Sequence, residues 1–397
     1  MWRTHETQFW LRGERPKKSV CYDESAGLWN VYGYSEVQAV LADFEAFSSD
    51  VLRITPEHRR PRAEGKDVSM DGMITLMDPP RHAKLRKLVT GAFSPKAVAG
   101  LEPRIAALTN DLLDEVDNDR MELVADLAFP LPVIVIADIL GVPREDRHLF
   151  QKWVAGMFER NIQPSQLDQS EERRQEVQKH TDSMRQFRAY VAEHAAERRK
   201  KPREDLLTTL VEAKIDGEPL TEDQVVNFAF PLLIAGHLNT TMLLGNTVLC
   251  MDEFPDWQDR VRADRSIIPA MIEESMRFLT PFAALSRATT REVELGGETI
   301  PVDQMITIWL ATANRDPCVF ANPDTFDPRP DHSAHMAFGW GIHFCLGALL
   351  GRVEGKVVLN ILLDRYPQLR TIPDEPPEFL AAALMTGVRT LPLSLSR

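Results

Sequence analysis

Polar and apolar positions alternate in only a few short places along this chain. SVCYD and LWNVYG, on either side of a Ser-Ala-Gly turn, read as two short strands, and SEVQAVLAD after them reads as a helix. From about residue 79 the apolar spacing turns helical and stays so for a long way. It runs through RHAKLRKLVTGAF, VAGLEPRIAALTNDLLDEV and PVIVIADIL to a highly charged stretch from Ser170 to Lys201. Around Val293 the period shifts again: VELGGETIP reads as two strands joined at Gly296 and Gly297. No internal repeat or low-complexity linker cuts the chain. The pattern predicts one mainly α domain over 1–397, with small β-rich portions near 20–50 and 285–310.

Charge narrows the possible partners. The 397 residues carry a formal charge of −13, which argues against general affinity for nucleic-acid phosphates. The EERR and AAERRKKPRED runs mix signs, so they read as a solvated helix face rather than a nucleic-acid arm. MWRTHETQFWLRGERPKKS has no apolar h-region, and no stretch has the length and composition of a bilayer span. The expectation is a cytoplasmic protein with nothing that demands more than a monomer. Its four cysteines, Cys21, Cys250, Cys318 and Cys345, are scattered, with neither a CxxC pair nor a disulfide pattern. Any special cysteine acts alone.

Cys345 has the richest setting. It lies in FGWGIHFCLG, before a segment that reads as the helix ALLGRVEGKVVLNILLDRY, whose positive end favours thiolate over thiol. Gly339, Gly341 and Gly347 lack a Cβ, so the backbone is free to approach something flat and bulky, with N–H groups turned toward the sulfur. Three readings stand side by side. One is an inert cysteine in a tight turn. A cysteine hydrolase needs a separate base, and His343, two residues away, is badly placed to serve. A haem-thiolate ligand needs one cysteine, close backbone approach and N–H donors near the sulfur.

The run Phe338, Gly339, Gly341, His343, Cys345, Leu346, Gly347 resembles the cytochrome P450 signature at every position, and Arg352 and Glu354 continue the likeness. Other matches follow in family order from about residue 28 to PEFLAAALMTGVRTLPLSL. Glu274 and Arg277 in IEESMRF are similar to the family's Glu-x-x-Arg pair. In PDTFDPRP, Thr325 stands where the family usually has an Arg, which leaves Arg329, or some other closure, for that network. In DPPRHAKLR, His82 and Arg86 share a helix face, where both can meet anionic propionates. The resemblance implies Arg287 and His335 as further propionate donors; taken singly, each of these groups also reads as solvated surface.

One segment departs from the family. Its oxygen-activating helix usually reads Ala-Gly-x-acid-Thr-Thr, and AGHLNTT keeps Ala235 and Gly236 but puts Leu238 at the acid position and Asn239 at the alcohol. Breaking the O–O bond takes two protons, and leucine carries none. Asn239 can hold a water without titrating, and His237, Thr240 or a substrate hydroxyl can complete the relay. The bland alternative is that Asn239 caps or kinks the helix, with Pro231 adding local distortion.

The resemblance thus implies the cytochrome P450 fold, haem b with Cys345 as axial thiolate, and insertion of one oxygen atom from O2 into an apolar substrate of secondary metabolism. Pocket candidates are Met73, Ile74, Met77, Phe228, Leu232, Phe282 to Leu285, Leu384 and Met385, each of which also reads as plain core. The expectation is a chain without a fused reductase, to which ferredoxin and ferredoxin reductase, or peroxide, supply the electrons. Two other classes remain: a peroxygenase, coupling catalyst or nitric oxide reductase, and a haem-binding sensor without turnover.

Overall fold

The computed structural model describes residues 8–55, 62–63, 66–67, 69–116, 119–146, 148–149, 153, 171–330, 333–380, 382 and 384–395. Ser170, Ala381, Ala383 and the chain ends lie outside the described residues. The long helix Glu222–Glu253 organises the rest. It opens on a capping box: Thr221 Oγ1 accepts from the Gln224 N–H at 3.2 Å, and Gln224 Oε1 accepts from the Thr221 N–H at 3.0 Å. Pro255 follows its last turn and opens the helix Pro255–Ala263. Among the described residues only Glu222–Glu253 is long and apolar enough to cross a membrane, and most of its apolar window is buried inside the protein. It is therefore a core helix, packed against Pro130–Leu140, Ile268–Phe278 and Ala348–Arg365. Gly355 permits the last contact, since a Cβ there would sit 3.0 Å from the side chains of Leu243 and Ile272.

The two β-rich portions form one sheet. Its strands run in the order Val20–Asp23, Leu28–Val31, Met305–Ile308, Leu285–Thr289, Phe47–Ser48, all antiparallel except the pairing of Leu28–Val31 with Met305–Ile308. The predicted hairpin is Val293–Leu295 with Glu298–Ile300, and Gly296 and Gly297 both take positive φ between them. A further sheet joins Arg120–Glu122 to Pro392–Ser394 and Arg370–Thr371, far apart in sequence. The sheet core of Val20, Val31, Ile306 and Ile308 is separate from the main helical core.

Three expectations change. The helix runs unbroken through Pro231 and Asn239, because packing along its length outweighs the local penalty. The charged stretch forms the helix Glu171–Lys200, yet Arg198 is fully buried. It donates to Asp205 at 2.8 Å, to Glu197 at 2.7 Å and to the Gly141 carbonyl at 2.5 Å. Arg329 does not replace the missing arginine, since it is exposed and paired with Asp327. The backbone closes that network, as Arg277 donates to the carbonyls of Asn314, Pro323 and Thr325 at 2.9–3.1 Å. The Asp327 N–H donates to Glu274 at 2.8 Å.

Glu354 lies buried on the helix after the cysteine loop with Oε2 unpartnered, and burial pushes its pKa up to about 8. A raised folded pKa means stability that is full below the ordinary glutamate pKa and is lost as pH rises toward 8. Glu354→Gln removes that loss. Unfolding free energies should therefore agree below about pH 4 and differ in the variant's favour by a few kcal/mol at about pH 8. Parallel curves over that range would contradict this.

Candidate active site

The cysteine loop is shaped by two left-handed glycines. Gly339 has φ 74° and Gly341 has φ 68°. A Cβ on Gly341 would lie 2.5 Å from the Leu41 carbonyl, so its missing side chain serves contact with the helix Tyr34–Ala42 rather than with a flat group. Gly347 has an ordinary φ of −87° with open space beside it, and its N–H donates toward Cys345. The Cys345 N–H donates to the Phe338 carbonyl at 2.8 Å and closes the turn.

Cys345 lies deep among protein atoms yet is accessible. Burial is the largest influence and raises the thiol pKa, while the Gly347 N–H and then the charges of Arg86 and Arg352 oppose it. The helix end was expected to tip the free thiol toward thiolate, and desolvation outweighs it. A bound cation at sulfur would reverse that balance.

Beside the loop stand His82, Arg86, Arg287 and His343. Arg86 donates to the carbonyls of Ile342 at 3.0 Å and Phe344 at 2.5 Å, fixing the helix Arg81–Val89 to the loop. The His82 and His343 rings are 4.2 Å apart, and His343 Nε2 meets Ser49 Oγ at 2.9 Å. Burial lowers the pKa of His343 to about 3, helped by Arg287, His82 and Arg86. Burial also lowers His82, and brings Arg287 down to about 10. His82 Nε2 is buried without a partner.

His335 does not join this group. The Ala337 N–H donates to its Nδ1 at 3.2 Å, which leaves Nε2–H to donate to Glu273 at 3.0 Å. Glu273 also accepts from Arg352 at 2.7 and 2.8 Å, and these bonds bring its pKa down to about 2 against the upward pull of burial. Arg352 in turn lies 4.4 Å over the Phe338 ring. The sequence reading missed Glu273; its signal was the doubled acid in IEESMRF, of which only the second was taken.

On the long helix, exposed Ala235 and partly exposed Asn239 are four residues apart on one face, with Leu232 a turn earlier. Asn239 Nδ2 donates to the Ala235 carbonyl at 3.3 Å, Thr240 Oγ1 to Gly236 at 3.0 Å, and Thr241 Oγ1 to His237 at 3.1 Å. His237 is fully buried on the opposite side, with Nε2 donating to the Phe129 carbonyl at 2.9 Å and its pKa lowered to about 3 by burial. Leu238 belongs to the main core. His237 and Leu238 therefore lie away from the Ala235–Asn239 face, and Thr240 is buried with its proton engaged.

The pocket candidates divide as well. Met73 and Phe228 are buried core. Ile74, Met77, Leu232, Phe282 and Met385 keep accessible surface, and Phe282 bridges to Met385. Leu285 packs on the sheet core and Leu384 on the Trp10–Trp309 cluster.

These groups suit a planar, dianionic haem. One accessible sulfur receives an N–H, two arginines and two histidines gather beside it, and a buried His82 nitrogen lacks a partner. The geometry defines a haem-thiolate class. A family model described as cytochrome P450 matches residues 7–395. The chain is 38% identical over 384 residues to the cyclomarin C epoxidase CymV of Salinispora arenicola, covering 96% of this chain and 94% of that one. It is also 38% identical to the erythromycin C-12 hydroxylase of Saccharopolyspora erythraea, covering 97% and 93%. The solved structure of HmtN, a hydroxylase involved in himastatin biosynthesis, is 47% identical with a TM-score of 0.88, covering 100% and 98%. This chain belongs to the cytochrome P450 family of haem-thiolate monooxygenases.

His82→Ala removes one charge-assisted donor from the cluster. It should speed haem transfer to apomyoglobin by roughly tenfold, the equivalent of about 1.4 kcal/mol. Unchanged transfer would place His82 outside the haem site.

Proposed function

We propose that this protein is a cytoplasmic bacterial monooxygenase of secondary metabolism that inserts one oxygen atom into an apolar organic substrate by hydroxylation or epoxidation. The relatives named above support that range, since one is an epoxidase and two are hydroxylases. In this reading Cys345 ligates the haem iron, and Arg86, Arg287, His82 and His343 hold the propionates. The haem supplies O2 activation when bound. Ile74, Met77, Leu232, Phe282 and Met385 keep water away from the reacting carbon and hold the substrate by apolar contact.

The observation that carries the mechanism is the row of back-bonded carbonyls at 235, 236 and 237. In this chain those acceptors are engaged by the side chains at 239, 240 and 241, and His237 is held on Phe129. The proton path therefore runs on the cavity side, where the second N–H of Asn239 holds a water or a substrate hydroxyl. The same row favours a second reading, peroxide-driven oxidation, in which that delivery is not needed. Product formed with peroxide but not with NADH, ferredoxin and reductase would select it.

Electron delivery also has a surface. No Asp or Glu occurs between Asp78 and Glu102, a span holding Arg81, Lys84, Arg86, Lys87 and Lys96, on a chain of net charge −13. Lys87 and Lys96 are exposed, and Arg86 ties this helix to the cysteine loop beside exposed Trp340. An acidic ferredoxin fits this face.

Three measurements test these statements. The reduced carbon monoxide complex should show the red-shifted Soret band of thiolate ligation, and Cys345→Ser should abolish it. Asn239→Ala should lower the coupling of NADH oxidation to product by roughly tenfold, as the loss of one hydrogen bond to the delivering water would. Equal coupling would exclude the cavity-side path. Lys87→Glu should slow ferredoxin-driven reduction several-fold at low salt and much less at high salt, with the carbon monoxide spectrum unchanged.

A further inference from the structure

A buried hub lies two turns before Ala235. Asn227 is fully buried, and its Nδ2 donates to the carbonyls of Ser69 at 2.8 Å and Asp71 at 2.6 Å. Its Oδ1 accepts from Arg188, which also pairs with Asp223. The amide can be placed in only one orientation, because the carbonyls only accept and the guanidinium only donates. Gly72, at φ 98°, brings its backbone against the same helix, where a Cβ would lie 2.5 Å from the Gln224 carbonyl. The Asp71 carboxylate accepts from Gln224 Nε2 at 3.0 Å and from Arg81 Nη2 at 2.7 Å.

These bonds converge on one segment. Residues 69–73 lead directly into the turn Ile74–Leu76, so the hub fixes where Ile74 and Met77 stand relative to Leu232 and Ala235 on the long helix. Arg188 belongs to the helix Glu171–Lys200, which packs on the long helix through Phe187 and Phe230, 5.3 Å apart. Arg81 opens the helix that carries His82 and Arg86. One asparagine thus joins three elements around the cavity, while Asp71 beside it reaches a fourth.

We propose that Asn227 is a positioning residue that holds the wall formed by residues 69–77 and thereby limits the size of molecule the cavity admits. This rests on the haem-thiolate reading of the cavity. No other standard side chain of this size supplies two donors to the carbonyls and an acceptor to Arg188. Alanine leaves two carbonyls without their donor, and aspartate sets an oxygen against them.

The test uses the haem-loaded enzyme with two iron-binding probes, imidazole and the bulky azole econazole, mixed in a stopped-flow instrument and followed at the Soret band. Asn227→Ala should raise the econazole association rate about tenfold, while imidazole stays within about twofold. Hydrogen exchange at the Met73 and Leu76 amides, which bond to Met70 and Met73, should rise about tenfold as well. Arg188→Gln, which leaves the two carbonyl bonds in place, should shift both readouts in the same direction by a smaller factor and serves if the alanine variant does not fold. Wild-type econazole rates and wild-type exchange in the variants would overturn the proposal. So would an equal change for imidazole, which would mark a general loosening of the haem site. A wild-type protein that gives no azole shift would instead overturn the haem-thiolate reading, and the exchange measurement would still decide whether Asn227 holds the segment.

Discussion

Two neighbouring carboxylates on one short helix hold the cysteine segment in place. Glu274 binds Arg277 through two bonds of 2.7 and 2.8 Å, both side chains almost wholly buried. A buried ion pair gains little over an apolar pair unless its remaining valences are filled. Here Arg277 fills them with three carbonyls from the stretch 314–325, and Glu274 takes the Asp327 N–H. Glu273, one residue earlier, reaches His335 before the loop and Arg352 after it. The helix Ile268–Phe278 thereby fixes the approach to the loop and the helix that leaves it, and the position of Cys345 follows from both.

The two faces of the site are built by different means. Around Cys345 the contacts are directional: Arg86 on two carbonyls, Cys345 N–H on Phe338, Gly341 pressed to Leu41. Removing one leaves a buried polar group unpaired, so this side tolerates little change. On the proposed reading the opposite wall is that of Ile74, Met77, Leu232, Phe282 and Met385, which keep accessible surface and whose apolar, partly unbranched side chains repack at small cost. The division matches a family in which the cofactor is constant and the substrates vary.

Much of this was legible in the residues, for reasons that differ by case. The strands at 20–31 and the hairpin at Gly296–Gly297 followed from local turn chemistry and period, and both formed where expected. The joining of the 20–50 and 285–310 portions into one sheet depends on long-range pairing, which no local pattern encodes. The cysteine loop was legible because its glycines and its thiol lie within one short run. His335 was misplaced because its partner, Glu273, lies 62 residues away, and a histidine near a haem signature reads equally well as a propionate donor or as the holder of a carboxylate. His237 looked like a relay member by sequence distance alone, whereas the helical turn sends it toward Phe129 while Ala235 and Asn239 share the accessible face. Asn227 gave no sequence signal, since two of its partners are backbone carbonyls, which every residue possesses, and the third, Arg188, lies 39 residues away on another helix.

The three carbonyls at 235–237, each claimed by a side chain one turn further on, bear on more than the proton path. A helix that keeps a standing water chain treats every occupant of its cavity alike, because the acid is always present. On the proposed reading this helix keeps none, and the missing hydroxyl arrives with the guest or with a water the guest permits. Molecules of equal fit then differ in whether they complete the circuit. Selection falls on chemical competence after binding, so affinity alone is a poor guide to which bound compounds this enzyme turns over.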